Sequence, residues 1–385
     1  MDSTVRPPEP AAAGAESIRT PPGPALRGLI LAYHGYRLPE GRPRSRLEIP
    51  DGVVTVVIAL AGGLRLTADG SPRGASSFLS GLRTTATRGE HTGGLHGIEV
   101  TFSPLGAYRT FGIPMRHFTE AFTDLSDLSD LLGRTAGCLV DQLRQTDSWA
   151  ERFALLDAVF ASCADRGGAV SPEVREALGL LRADSRPEAL TAISRQVGWS
   201  DRHLRARFGQ QVGLAPKAVA RVARLQRALR LQALGLDGAA VAASGGFHDQ
   251  AHCIREFRAM TGLTPSQFAA RRGGLPPGSP LDRVAGRVTS LLLPDTATDT
   301  ETGTATATGT ARARTGGRPG PGSCAEPRFS DSYKTAGPAS PHAAAPGREA
   351  VDVGRGAPGC CPHWDSTHRP RPSTGCWPRG PRAGA

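Results

Sequence analysis

Residues 208–216 read FGQQVGLAP and residues 257–265 read FRAMTGLTP, a repeat at a shift of 49 positions. A chain that carries one short helical unit twice has two similar apolar faces to bury, and no other feature constrains its fold as much. Upstream, Ile193, Gly198, Trp199 and Asp201 match Val241, Gly246, Phe247 and Asp249 at a shift of 48, which implies one inserted residue in the second copy. Each unit reads as helix, turn, helix, so the tandem predicts two exposed second helices on one body.

In the first copy a short helix over 189–197 ends at Gly198, and Ser200 caps a second helix running from 201 to about 212. Leu204 and Phe208 lie four apart on its core face, leaving Arg202, Arg205, Ala206 and Gly209 outward. In the second copy Cys253 and Phe257 take the core face, and Gln250, Ala251, Ile254 and Arg255 point away. Arg can donate two hydrogen bonds to guanine, Gln suits adenine, and Ile can touch a thymine methyl, so both outward faces fit a major groove. A long helix over 216–234 joins the copies, and its Arg221, Arg224, Arg227 and Arg230 form an edge suited to phosphates. A rigid spacer of this kind places two groove entries roughly 34 Å apart. Sixteen Lys plus Arg stand against eight Asp plus Glu over 171–272, a net charge of +8 that favours a polyanionic partner.

The segment 246–268, GFHDQAHCIREFRAMTGLTPSQF, resembles the carboxy-terminal signature of the AraC/XylS transcription regulators. The resemblance implies seven helices in two helix-turn-helix subdomains joined by a linker helix. It places Arg202 and Arg205 on the first recognition helix and Gln250, Ala251, Ile254 and Arg255 on the second. Ser200, Ala206, Arg221, Arg224 and Asp249 complete the expected DNA-contacting set. Two positions depart from the family: Ala206 replaces a longer polar side chain, and Gly238 sits in the helix before the second turn, where it costs about 1 kcal/mol against Ala.

Ahead of this domain, residues 25–102 alternate short β-branched runs such as GVVTVVIAL (52–60) with Gly, Pro and Asp, as in a small antiparallel barrel. Residues 125–164 carry apolar positions at helical spacing with a break at 146–148, a helical hairpin that contains the local duplication LSDLSD. Together, 97–164 resemble the sensor-like half of actinobacterial members of the same family. By analogy this implies a cupin-like ligand pocket and a hairpin that pairs subunits. The expected class is therefore α+β: a disordered lead (1–24), a small β barrel or cupin-like domain with helical hairpin (25–165), an all-α domain of two helix-turn-helix subdomains joined by a long helix (171–272), and a disordered low-complexity tail (275–385).

Catalysis is not required by any motif. His34, Glu48, His91, His96 and Glu99 are scattered, with only His96 and Glu99 close in sequence, so a hydrogen-bonded role outweighs a metal-dependent cupin enzyme. His248 and His252 lack partner ligands. A fused DNA-repair alkyltransferase needs an activated Cys beside His, and Cys138 and Cys163 have no such neighbour. A zinc site built from Cys360, Cys361, His363 and Cys376 lacks any surrounding helix or strand period, and two distinct recognition faces argue against DNA binding without sequence preference. Neither a signal peptide nor a membrane span is legible, so a cytoplasmic protein, nucleoid-associated when bound to DNA, is expected. Double-stranded DNA is the expected partner, joined by an unidentified small-molecule effector, RNA polymerase and a second copy of the chain; no cofactor, metal or membrane is expected.

Overall fold

The computed structural model describes residues 14–41, 43–68, 70–125, 134–186 and 189–294. The duplicated LSDLSD beyond Leu125 and the tail cysteines with His363 lie outside the described residues, as does the lead before residue 14. Two antiparallel sheets form the amino-terminal part. The first orders β1 (Glu16–Thr20), β2 (Ile30–Leu38), β9 (Leu95–Phe102), β4 (Val54–Ala61), β7 (Phe78–Ser80) and β10 (Phe122–Asp124). The second orders β11 (Ser290–Leu293), β3 (Arg44–Glu48), β8 (Thr87–His91), β5 (Leu64–Ala68) and β6 (Ser71–Ala75).

The apolar run of β4 has no polar face because both of its faces are covered. Val54, Val56, Ile58 and Leu60 join the main core with Tyr33 and Phe102, while Thr55 and Val57 point into a cavity between the sheets. Helix α1 (Pro104–Phe111), capped by the Ser103 hydroxyl, follows β9. The hairpin is α2 (Arg134–Gln145) and α3 (Trp149–Arg166), with its break at 146–148. Helix α3 closes the outer face of the first sheet, stacking Phe153 on Tyr33 at 5.6 Å and setting Phe160 edge-on to Phe102 at 5.2 Å.

Among the described residues seven helices follow: α4 (Pro172–Ala183), α5 (Ala189–Gln196), α6 (Asp201–Gln211), α7 (Pro216–Ala233), α8 (Gly238–Gly245), α9 (Gln250–Thr261) and α10 (Pro265–Arg272). Among the described residues no helix is long and apolar enough to cross a membrane.

Two boundaries differ from the sequence reading. The sheet begins at Glu16 rather than 25, because β1 pairs with β2 along all five residues from Glu16↔Arg37 to Thr20↔Tyr33. An edge strand of composition ESIRT is held by backbone pairing, so it carries little apolar signal. The expected tail does not start at 275. Residues 275–293 return to the β domain and end in β11, paired with β3 from Ser290↔Glu48 to Leu293↔Ser45. The Gly- and Pro-rich GGLPPGSP (273–280) reads as low complexity and hides the short strand run VTSLLL (288–293) behind it.

Candidate DNA-binding face and effector cavity

Each helix-turn-helix turns on a glycine with a positive φ, 70° at Gly198 and 84° at Gly246, a conformation that a side chain would strain. The second helix of each copy is then capped from its own sequence. The Ser200 hydroxyl accepts the His203 amide at 3.3 Å, and the Asp249 carboxylate accepts the His252 amide at 2.6 Å. That amide and the neighbouring His248 ring hold the Asp249 carboxyl below its ordinary range. His203 and His252 sit edge-on to Trp199 and Phe247, at 4.5 and 5.7 Å. Asp249 therefore corresponds to Ser200, not to Asp201 as the sequence match suggested. The inserted residue is His248, in the turn.

Leu204, Phe208, Cys253 and Phe257 are buried, and Arg202, Arg205, Ala206, Gln250, Ala251, Ile254 and Arg255 are exposed. Arg202 and Arg205 make no hydrogen bond or ion pair with the described residues. The Gln250 side chain folds back over Gly238, where an added Cβ would meet its amide nitrogen at 2.6 Å. Gly238 is the first residue of α8, directly after the Asp237 cap, and not a helix-interior glycine; its cost is correspondingly smaller.

Four candidates prove to have structural work. Ser200 and Asp249 spend their side-chain acceptors on caps. Arg221 donates to Glu256 at 2.9 Å, tying the linker helix α7 to α9. Arg224 is 5% exposed, donates to the Ser185 carbonyl at 2.6 Å and lies over the Phe247 ring, so burial removes it from the exposed basic edge of α7. The sequence pattern could not separate it from Arg227, which is exposed on the same helix.

Sequence reasoning missed what holds the second helix of each copy. The Thr119 hydroxyl donates to the Gly213 carbonyl just beyond α6 at 2.9 Å, and the Ala86 amide donates to the Met260 carbonyl in the last turn of α9 at 2.8 Å. The carboxy-terminal ends of both helices thus rest on the β domain. Buried Gln226 on α7 adds a third tie, donating to the Pro50 and Val288 carbonyls, each at 2.8 Å. Such long-range contacts leave no local signal in the sequence.

Between the sheets lies a cavity of about 300 Å³. Its apolar side carries Val57, Leu64, Leu66, Phe78 and Leu292, and its polar side Arg46, Arg283, Glu48, Glu99 and His34. Arg283 reaches Glu48 at 2.6 Å, Glu99 at 3.2 Å and Asp51 at 3.7 Å. Burial opposes the Glu99 charge, but Arg283 and His34 overcome it and hold Glu99 at about 2. Burial instead dominates at Asp51 and raises its pKa. The Thr87 hydroxyl also lines the cavity, 2% exposed and without a hydrogen-bond partner among the described residues.

This geometry corrects the pairing of candidate ligands. Cross-strand register sets His34 opposite Glu99, and their side chains come within 3.6 Å. His96, three residues from Glu99, lies on the other face of β9 against the Trp149 ring at 5.4 Å. Arg283 occupies the carboxylates that a cation would need, and among the described residues no three His, Cys, Asp or Glu side chains converge as a metal site. The Cys163 thiol, raised by burial, has Arg166 and no histidine as its hydrogen-bonding partner.

Residues 193–271 match the family described as "Helix-turn-helix domain". This is an AraC-type helix-turn-helix domain. The two helix-turn-helix units therefore lie in a DNA-binding domain of the kind that transcription regulators carry. Residues 18–124 match a family described as "Domain of unknown function (DUF6597)". No curated protein matches the chain. Among solved structures, ToxT from Vibrio cholerae aligns at 11% identity over 61% of this chain and 95% of its own, with a TM-score of 0.35. The unsaturated fatty acid-bound ToxT aligns at 11% over 62% and 94%, with a TM-score of 0.36. The AraC-like transcriptional activator CuxR aligns at 12% over 54% and 93%, with a TM-score of 0.23. At these scores the AraC-type assignment rests on the domain match and the helix geometry, not on the superpositions.

Proposed function

We propose that this AraC-type regulator reads a specific DNA sequence with both second helices, α6 and α9, entering successive major grooves. Arg202, Arg205 and Ala206 face bases or phosphates from the first helix, and Gln250, Ala251, Ile254 and Arg255 from the second. The observation that carries this reading is the arrangement of those seven exposed residues on two capped helices whose other ends are fixed to one β domain. Fixing both ends on one body supports a defined spacing between the two contact blocks. The β-domain cavity takes a small effector with an apolar body and a polar end, matching its apolar and charged walls; its volume equals that of about ten waters.

Selection of genomic DNA fragments by the full-length protein at near-physiological salt tests the reading. A shared motif with two contact blocks about ten base pairs apart is the expected result. Arg202→Ala or Gln250→Ala should then cost roughly 1–3 kcal/mol on that motif and much less on random DNA. Salt-sensitive binding without a motif would overturn it.

A further inference from the structure

The segment that follows the second helix-turn-helix meets both halves of the molecule through two adjacent residues. Asp282 is 1% exposed and faces the DNA-binding domain. Its carboxylate accepts Arg272, the last residue of α10, at 2.5 Å, together with the amides of Gly278, Ser279 and Thr289 at 2.9, 3.1 and 2.8 Å. Arg272 is itself 6% exposed and spends its other donors on the same segment, reaching the Leu275, Pro276 and Ser290 carbonyls at 3.1, 3.0 and 2.7 Å. Arg283, the next residue, points the other way and forms the charged end of the cavity with Glu48, Glu99 and Asp51.

The backbone around this pair is fastened on both sides. Arg46, itself a cavity residue, donates to the Leu281 carbonyl at 2.6 Å and to the Ser290 hydroxyl at 2.7 Å. Arg19 of the edge strand donates to the carbonyls of Asp282 and Pro280. Val288 exchanges hydrogen bonds with Gln226 of the linker helix, its amide donating at 3.1 Å and its carbonyl accepting at 2.8 Å. Pro280, Leu281 and Leu292 of the segment complete the cavity wall beside Arg283.

We propose that residues 275–293 are a coupling strap: occupancy of the cavity changes the carboxylate partners of Arg283, and the adjacent Asp282 carries that change to Arg272 and the end of the second helix-turn-helix. This rests on the reading of the cavity as an effector site. A polar effector group at the charged end competes with Glu48 and Glu99 for Arg283, or with Arg283 for them. Either exchange moves the 282–283 backbone, and the Asp282–Arg272 pair has no slack to absorb it because nearly all its donors and acceptors are engaged. Among the described residues the strap's hydrogen bonds to a helix-turn-helix reach the second copy, and none reaches the first.

Hydrogen exchange on the full-length protein tests the strap without ligand or DNA. Arg283→Gln alters only the cavity end. Its expected effect is at least about fivefold faster exchange at amides of residues 250–272, with residues 201–212 unchanged, and a change of about fivefold in DNA affinity. Thr87→Val, on the cavity wall but off the strap, should leave both regions as in the native protein. Faster exchange confined to the sheets and the strap, with 250–272 unmoved, would overturn the proposal. Should Arg283→Gln fail to fold, Arg283→Lys keeps the charge with fewer bonds and is expected to show the same regional pattern at smaller size; the same confinement to the β domain would again overturn it. Since exchange is read without DNA, failure of the strap is distinguishable from failure of motif selection, and an unselective DNA profile leaves the exchange result standing.

Discussion

The two helix-turn-helix copies share a motif but not an anchorage. Ile193, Val197, Leu204, Phe208 and Val212 of the first copy belong to the main core, continuous with α1, α4 and the first sheet. The second copy builds its turn on a separate small cluster of Ala228, Val241, Ala242, Phe247 and Cys253, while Phe257, Met260 and Phe268, with half-buried Leu263, reach the main core. Helix α8 is made almost wholly of Gly, Ala and Ser, which bury little apolar area. The second copy compensates with polar fastenings: Arg224 on the Phe247 ring and Glu256, Arg221 on Glu256, and Arg272 on the strap. Repeating a motif thus repeats its exposed face without repeating its stability. The copy held by directional polar contacts is the one that a change elsewhere can adjust.

The largest test of this difference compares Phe208→Ala with Phe247→Ala. Phe208 is 0% exposed in the main core, so its loss should cost about 3–5 kcal/mol and lower the melting of the whole chain. Phe247, 8% exposed in the satellite cluster, should cost less and raise hydrogen exchange over 238–261 first. Equal, global losses for both would erase the distinction between the copies.

Acid provides the next largest effect. Glu99 sits at about 2 in the folded protein against 4.5 for the ordinary side chain. A depressed folded value gives stability that is complete above about 4.5 and is lost as pH falls toward 2. The shift corresponds to roughly 3 kcal/mol. Asp51, raised by burial, works in the opposite sense and recovers part of that loss. Because Glu99 holds Arg283, exchange in the second copy should rise before exchange in the first as pH drops below 4.5. Glu99→Gln should flatten that part of the profile.

How much was legible follows from how local each signal is. The caps, turn glycines and recognition faces lie within a dozen residues of one another, so Ser200, Gly198, Arg202 and Gln250 could be placed from spacing alone. β-branched runs exposed the central strands for the same reason. The cavity was not legible as a site, because strand register and not sequence distance joins His34 to Glu99 and separates His96 from it. The strap was further out of reach: Arg283 meets Glu48 across 235 positions, and Arg19 meets Asp282 across 263. Burial also reassigns Arg224, since a basic stripe on a helix does not show which arginine faces a neighbour.

Arg224→Ala separates a seat from a phosphate contact. Removing the buried guanidinium leaves the Ser185 carbonyl without that donor and takes one cation from Glu256, at a cost of about 2 kcal/mol. Melting should fall, and specific and random DNA should be bound less well with no change in salt dependence. A phosphate contact would instead leave the melting unchanged and reduce the salt slope by about 1.

The smallest effect compares the two caps, and it isolates the insertion that distinguishes the copies. Ser200→Ala should cost about 1 kcal/mol from the lost bond to the helix amide, and Asp249→Ala should lose the corresponding bond. The carboxylate at Asp249 also faces the positive end of the α9 dipole and the inserted His248, whereas the hydroxyl at Ser200 carries no charge. Asp249→Ala should therefore be the more destabilising of the two at low salt, and this excess should shrink in high salt while the Ser200→Ala value stays constant. Paired thermal melts at low and high salt read the difference. Identical salt responses would mean that the inserted histidine and its charged cap contribute only geometry, and that the second copy gains nothing electrostatic from its extra residue.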